Sequence, residues 1–505
     1  MTTDQELLSV LKTHFGFDQF LPLQAEIVSN VLANNDSLVL MPTGAGKSLC
    51  YQLPAVIHDG YTVVVSPLIA LMKDQVDAIR ANGVPAAFVN STHSLHENEN
   101  VLTQTASGDI KILYVAPERL ATPRFQRFLK AAQPALIAID EAHCISEWGH
   151  DFRPDYRNLK ILRREFPSVP LIALTATATE EVRRDIVDQL RLEDAGSFVS
   201  SFNRPNLTYS VLPKQRSFDE LMTLMQRHKN ESAIIYCFSR KDTEQLSTDL
   251  SANGYPALPY HAGLDSALRR STQEKFIRDE VPVIVATIAF GMGIDKPDVR
   301  FVIHFDMPKS LEGYYQETGR AGRDDGEGKC LAFYQYKDIE KLEKFMKGKP
   351  VAEQEVGRQL LLETVTYAES AMCRRQQLLH YFGERYAEEN CKNCDNCNNP
   401  KERVEAKQEM VQVLNTILNI KEKFKAKHIV NTLMGVTTSE IKSYKHDELK
   451  EFGVGCNEEE QFWNAVVRQG LILELLIKDI ESYGLLRLSE KGHAFLANPH
   501  FTSIF

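Results

Sequence analysis

This 505-residue sequence predicts an α/β protein of two consecutive lobes, each built on a parallel sheet, followed by a helical segment and a smaller terminal domain. Three observations carry that expectation. Short apolar runs alternate with turn signals and helical patterns through the first two thirds, the alternation stops after about Tyr336, and four cysteines then crowd between positions 373 and 397.

The first set of candidate strands comprises Ser37–Met41, Thr62–Ser66, Ile112–Ala116, Ala135–Ile139 and Leu171–Thr175. None shows the polar alternation of a sheet with one wet face, and a continuous apolar run is what a strand covered on both faces requires. A second set begins at Ala233–Cys237 and continues through Val283–Thr287, Phe301–His304 and Leu331–Tyr334. Between the sets, Asn203-Arg204-Pro205-Asn206 breaks the pattern, so the lobes are expected at 1–203 and 204–338. Charged helical sequence and the cysteines fill 339–401. In 402–505, helical patterns precede the strand signal Tyr483-Gly484-Leu485-Leu486-Arg487-Leu488-Ser489. Helices closed by a small hairpin make a winged helix, a module that docks on duplex backbone or, equally on composition, on a protein.

With 43% hydrophobic and 25% charged residues the chain reads as globular rather than disordered. It lacks an apolar run of about eighteen residues, and its acidic start (Asp4, Glu6) lacks the order of a secretory signal. No membrane association is expected, and a cytoplasmic location is, next to the nucleoid in a bacterium. Cys50, Cys144, Cys237, Cys330 and Cys456 stand far apart and are read as reduced packing residues. A net charge of −10 argues mildly against an indiscriminate nucleic-acid binder, because phosphate must be met by lysine and arginine.

Met41-Pro42-Thr43-Gly44-Ala45-Gly46-Lys47-Ser48 follows a strand and precedes a helix, the context of a phosphate-binding loop. Thr43 to Gly46 would turn backbone N–H groups around the phosphates of ATP, Lys47 would reach the β and γ phosphates, and the Ser48 hydroxyl would bind Mg²⁺. Met41 stands where the usual pattern has its first glycine. Ala135 to His143 then supplies an apolar strand ending in two carboxylates, Asp140 to hold Mg²⁺ and Glu141 to deprotonate the attacking water. In the second lobe, Arg320 and Arg323 stand at i, i+3 spacing, which would put both on one helical face as candidate arginine fingers.

The D-E-A-H box (140–143) and Gln316 to Gly326 resemble helicases of superfamily 2. Leu174-Thr175-Ala176-Thr177-Ala178 is similar to their coupling motif, Thr287 to Lys296 resembles their fifth motif, and the resemblance sets Asp295 near the ribose. Ser66-Pro67-Leu68, Ala116 to Arg119 and His261 to Leu264 are similar to their strand-contacting motifs. After the D-E-A-H box, Cys144 to Tyr156 is rich in aromatic and cationic groups. Trp148, Phe152 and Tyr156, with His150 and Arg153, could stack on and grip unpaired bases, or the rings could form a local core. This loop resembles the one by which RecQ helicases sense single-stranded DNA. Phe15 to Gln24 resembles their adenine-recognition segment, where Phe17 would stack and Gln24 would read the adenine edge. Phe17 replaces the common tyrosine or histidine, and Leu21 replaces a common cation.

Cys373, Cys391, Cys394 and Cys397 give C-x17-C-x2-C-x2-C, a spacing that suits four thiolates on one structural Zn²⁺. With Arg374-Arg375 the segment resembles the RecQ zinc-binding domain. His446 to Lys450 and Phe462 to Gln469, near Lys421, Lys423, Lys425 and Lys427, resemble the RecQ C-terminal region. The resemblance implies two RecA-like lobes, a helical zinc-binding domain and a winged helix. It further implies a bacterial-type, monomeric, ATP-dependent 3′→5′ helicase acting on single-stranded and duplex DNA in repair and recombination. Partners expected by resemblance are a single-stranded-DNA-binding protein or a topoisomerase. The HRDC domain of many relatives is absent from this sequence. The rivals are a superfamily 2 RNA helicase and a nucleic-acid-binding scaffold that does not hydrolyse ATP.

Overall fold

In the computed structural model the described residues are 4–90, 94–149, 151–229, 231–291, 296–388, 390–400, 404–479, 485–499 and 503–504. The first lobe has seven strands: β1 (Ser37–Leu40), β2 (Thr62–Val65), β3 (Ala86–Val89), β4 (Ile112–Val115), β5 (Leu136–Ile139), β6 (Leu171–Thr175) and β7 (Gly196–Val199). They lie in the order β3-β4-β2-β5-β6-β1-β7, and every pairing is parallel. β1, β2, β4, β5 and β6 are buried along their whole length, as their apolar runs require. Parallel order brings all the strand C-termini to one edge of the sheet, where the loops after β1 and β5 meet.

The second lobe repeats this plan with six parallel strands: β8 (Leu207–Pro213), β9 (Ser232–Tyr236), β10 (Ala257–Tyr260), β11 (Val283–Ala286), β12 (Val299–His304) and β13 (Gly328–Tyr334). Their order is β10-β11-β9-β12-β13-β8. Each lobe has its own apolar core, built from alternate faces of the sheet and the helices over them.

Helices Tyr336–Met346 and Val351–Glu369 lead into the cysteine segment. The terminal domain packs helices Lys407–Asn419, Ala426–Met434 and Glu460–Ile472 around Trp463, whose Nε1 donates to the Gly455 carbonyl at 2.9 Å. Strands Leu476–Asp479 and Leu485–Leu488 close it as an antiparallel hairpin. Tyr483 and Gly484, expected in that hairpin, lie outside the described residues. The run from Phe462 is thus core in its apolar members, with Trp463, Val466, Val467 and Gly470 on the buried face. Of the five scattered cysteines four are buried, but Cys456 is exposed and is not a packing residue. Among the described residues, no helix is long and apolar enough to cross a membrane.

Candidate active site between the lobes

The loop leaving β1 enters helix Leu49–Ile57 through Gly44 at φ +90° and Gly46 at φ +71°. That backbone favours glycine, and a Cβ on Gly46 would in addition displace the Gln24 amide, whose Nε2 would lie 2.4 Å from it. Lys47 Nζ donates to the carbonyls of Met41 (3.1 Å) and Pro42 (3.4 Å). Burial lowers its pKa from the ordinary lysine range, while Glu141 and Asp140 pull the other way.

Those carboxylates arrive at the end of β5. Asp140 is buried, and burial together with the neighbouring Glu141 pushes its carboxyl well above the usual range. A buried acid in that state is relieved by a nearby cation. Glu141 sits at φ +50°, a conformation uncommon for a residue with a Cβ. The turn sets its Oε2 3.3 Å from His143 Nδ1. The same Nδ1 lies 2.8 Å from Thr175 Oγ1 at the end of β6, so one imidazole joins the D-E-A-H box to the coupling motif.

The second lobe meets this surface at residues 319–323. The expectation that Arg320 and Arg323 share a helical face is corrected: helix Leu311–Thr318 stops at Thr318, and the chain then turns through Gly322 at φ +55°. The two arginines diverge as a result. Arg323 lies on the phosphate loop, where a Cβ on Gly44 would be 3.4 Å from its Cγ, and its charge is felt at Lys47. Arg320 is buried beside the Tyr236 hydroxyl and Gly291.

Arg204 was passed over in the sequence as part of a pattern break. Its guanidinium donates to the carbonyls of Thr43 (3.3 Å), Gly319 (3.5 Å), Ala321 (3.1 Å) and Gly322 (2.7 Å). One side chain from the linker thus fastens the phosphate loop to the arginine segment. No pattern in the sequence distinguishes it from an ordinary turn arginine.

In the segment that resembles the adenine-recognition one, Phe17 is 57% exposed and Leu21 47%, leaving an open apolar face. Gln24 is buried, accepts from Leu21 N (2.8 Å) and donates to the carbonyls of Ala45 and Gly46 (3.3 and 3.2 Å). Its amide is engaged with the loop, so reading an adenine edge requires it to exchange these bonds. Asp295 and His150 lie outside the described residues.

The aromatic loop divides into exposed and structural parts. Trp148 is 59% exposed, and Phe152 is half-buried with the Arg157 guanidinium 5.8 Å above its ring. Tyr156 is a correction: it is fully buried in the first lobe's core, and its hydroxyl donates to the Asp140 carbonyl at 3.0 Å, so it supports the carboxylate turn and has no face for DNA. Arg153 also points inward, holding Asp151 (3.1 Å) and the Pro67 carbonyl (2.9 Å).

The sulfurs of Cys373, Cys391, Cys394 and Cys397 lie within 4.8 Å of one another. Backbone N–H groups of Gln376, Asn393 and Cys397 point at three of them (3.4–3.5 Å), a donor set that favours thiolates around zinc. The cluster is tied to the motor. Arg375 donates to Asn203 Oδ1 (2.7 Å) and to the carbonyls of Arg204 and Leu207 (both 2.6 Å). Asp395 accepts from Val211 N (2.9 Å) on β8.

Successive segments of the chain match four family models: DEAD/DEAH box helicase (21–185), helicase conserved C-terminal domain (215–325), RecQ zinc-binding (336–398) and RQC domain (400–503). It is 43% identical over 491 residues to the ATP-dependent DNA helicase RecQ of Haemophilus influenzae, covering 97% of this chain and 79% of that one. The Pasteurella multocida RecQ is 42% identical over 494 residues, at 97% and 78% coverage. The chain belongs to the RecQ family of ATP-dependent DNA helicases. Its lobes share the wider helicase fold: Saccharomyces cerevisiae Dbp5 bound to RNA and ADP BeF3 superposes with a TM-score of 0.55 at 16% identity, over 72% of this RecQ chain and 100% of that structure. This RecQ helicase is therefore a DNA-unwinding ATPase with a zinc-binding domain and a winged helix.

Proposed function

We propose that this RecQ helicase steps 3′→5′ along one DNA strand, each step being one ATP-linked closure and release of the two lobes. The observation that carries this reading is Arg323 packed against Gly44, because an arginine reaching the phosphate loop from the second lobe ties lobe position to the γ-phosphate. Lys47 would hold the β and γ phosphates, Arg323 would meet charge developing on the γ-phosphate, and Glu141 would take a proton from the attacking water. Ser48 and Asp140 would hold Mg²⁺, which supplies charge neutralisation on the phosphate oxygens. Arg320 would act from within the second lobe, and Asp295 near the ribose. Phe17 would stack on the adenine and Gln24 would read its edge.

Release of the γ-phosphate would move Glu141, and with it His143 and Thr175, shifting the loop that carries Trp148 and Phe152. Those rings would stack on unpaired bases, with His150 beside them, while the winged helix holds the duplex. The lobes, zinc domain and winged helix are taken as 1–203, 204–338, 339–401 and 402–505. The chain would act as a monomer on chromosomal DNA in the cytoplasm, during repair and recombination, with a single-stranded-DNA-binding protein or a topoisomerase as partner.

A strand-displacement assay on 3′-tailed and 5′-tailed duplexes, with and without ATP, tests this reading. ATP-dependent unwinding of the 3′-tailed duplex alone is expected. Equal unwinding of both substrates would overturn the polarity.

A further inference from the structure

Behind the hydrolytic carboxylates, three side chains of metal-ligand type converge that the nucleotide chemistry does not use as ligands. Cys144 Sγ lies 3.8 Å from His143 Nε2 and 3.8 Å from Asp151 Oδ2. The three ligand atoms all fall within 4.8 Å of one another. Bonds of about 2.0–2.3 Å to a tetrahedral ion set neighbouring donors about 3.3–3.8 Å apart, so only a small contraction is needed. We propose that His143, Cys144 and Asp151 form an inhibitory site for one zinc-class divalent cation, clamping the D-E-A-H box to the aromatic loop.

The far side of the histidine supports this independently. Thr175 Oγ1 donates to the Thr177 carbonyl (3.1 Å), so toward His143 it accepts, and the imidazole proton belongs on Nδ1. Nε2 is then the nitrogen that faces Cys144, at 3.8 Å from its sulfur, and the one an ion would take. A ligating histidine held through its other nitrogen by a hydroxyl or carboxylate is the usual outer-shell arrangement of metal sites. Thiolate, imidazole and carboxylate together select a zinc-class ion over Mg²⁺.

Binding releases two protons to solvent, one from the Cys144 thiol and one from the His143 imidazole, which Cys144 and Glu141 hold protonated against the effect of burial, and it moves no electrons. Arg153 opposes the ion, since it shares Asp151 Oδ2, but it keeps its bond to the Pro67 carbonyl when displaced. The ion enters from the Asp151 side, whose side chain is 34% exposed, because His143 and Cys144 are buried. Once bound, it fixes His143 against Glu141 and Thr175 and pins the loop carrying Trp148, so DNA no longer accelerates hydrolysis.

Cd²⁺ is the probe, because a thiolate-to-cadmium absorption band reports sulfur ligation. Zinc-loaded protein is titrated with Cd²⁺ while the band, zinc released to a chelating dye, and ATP turnover with single-stranded DNA are followed. One equivalent is expected to raise the band and cut DNA-stimulated turnover before any zinc is released. Cys144→Ala should abolish that early band. Asp151→Asn should raise the half-inhibiting Cd²⁺ concentration by about 10–100-fold, each protein being compared with its own metal-free rate. A band that grows only in step with zinc release, or equal inhibition of the parent and both variants, would overturn the site. If Cys144→Ala fails to fold, Asp151→Asn decides alone, since its side chain is partly in solvent.

Discussion

Glu141 is held by a left-handed turn, with its carboxylate 3.3 Å from His143. A group placed this way can accept a proton from water but adds little to ATP binding. Glu141→Gln should therefore bind ATP and DNA near normally while hydrolysing at least about 100-fold more slowly, read by single-turnover phosphate release. The aromatic loop separates by exposure. Trp148→Ala should lower DNA-stimulated turnover more than basal turnover, because the ring stands in solvent. Tyr156→Phe should leave DNA affinity intact and cost about 1 kcal/mol of stability, measured by denaturant melting, because only a buried hydrogen bond is lost. Residue type alone could not separate these two rings, since both lie in one aromatic stretch and differ only in which way the chain turns them. Arg204 was equally hidden: its partners are four backbone carbonyls, all of them more than a hundred residues away.

At the scale of elements, legibility followed burial. All nine strands anticipated from apolar runs exist, within about three residues at either end. The four lobe strands not anticipated, β3, β7, β8 and β10, are the edges of the two large sheets. Edge strands have one neighbour and a wetter face, so their sequences lose the apolar run: β7 alternates in burial and β10 contains Pro259. The β8 edge is covered instead by Asn393 and Asp395 of the cysteine segment, which the sequence showed only as turn residues. Because Arg375 extends that segment to the linker, Arg375→Ala should leave zinc content unchanged while lowering ATP turnover roughly tenfold, the scale of one lost charge-assisted bond. Zinc loss from that variant would instead assign Arg375 to the cluster itself. Helix Leu311–Thr318 carries a second consequence. Burial, with Glu363 beside it, pushes the Glu312 carboxyl up from 4.5 to about 7. The folded chain binds this proton more tightly than the unfolded chain, so stability falls as pH rises through that interval. Glu312→Gln should then melt higher than the parent at pH 8, by on the order of 2–3 kcal/mol, with the gap closing toward pH 5. A gap independent of pH would remove Glu312 as its source.

In the whole molecule, two lobes of the same plan meet at a phosphate loop, with linker and zinc domain holding the seam. The order of motifs along the chain was enough to anticipate the lobes, the cluster and the terminal winged helix, because each is a local pattern. That the arginine segment of one lobe meets the phosphate loop of the other was anticipated too; the divergence of Arg320 from Arg323 was not, since their spacing suggested a helix that ends before either of them. Arg323 against Gly44 is what ties the second lobe to hydrolysis in the proposed cycle. The direct measurement is single-turnover ATP hydrolysis by Arg323→Ala on single-stranded DNA, with ATP affinity measured in parallel. A loss of about 1,000-fold or more in the hydrolysis rate is expected, with ATP still bound. A rate close to that of the parent protein would contradict it.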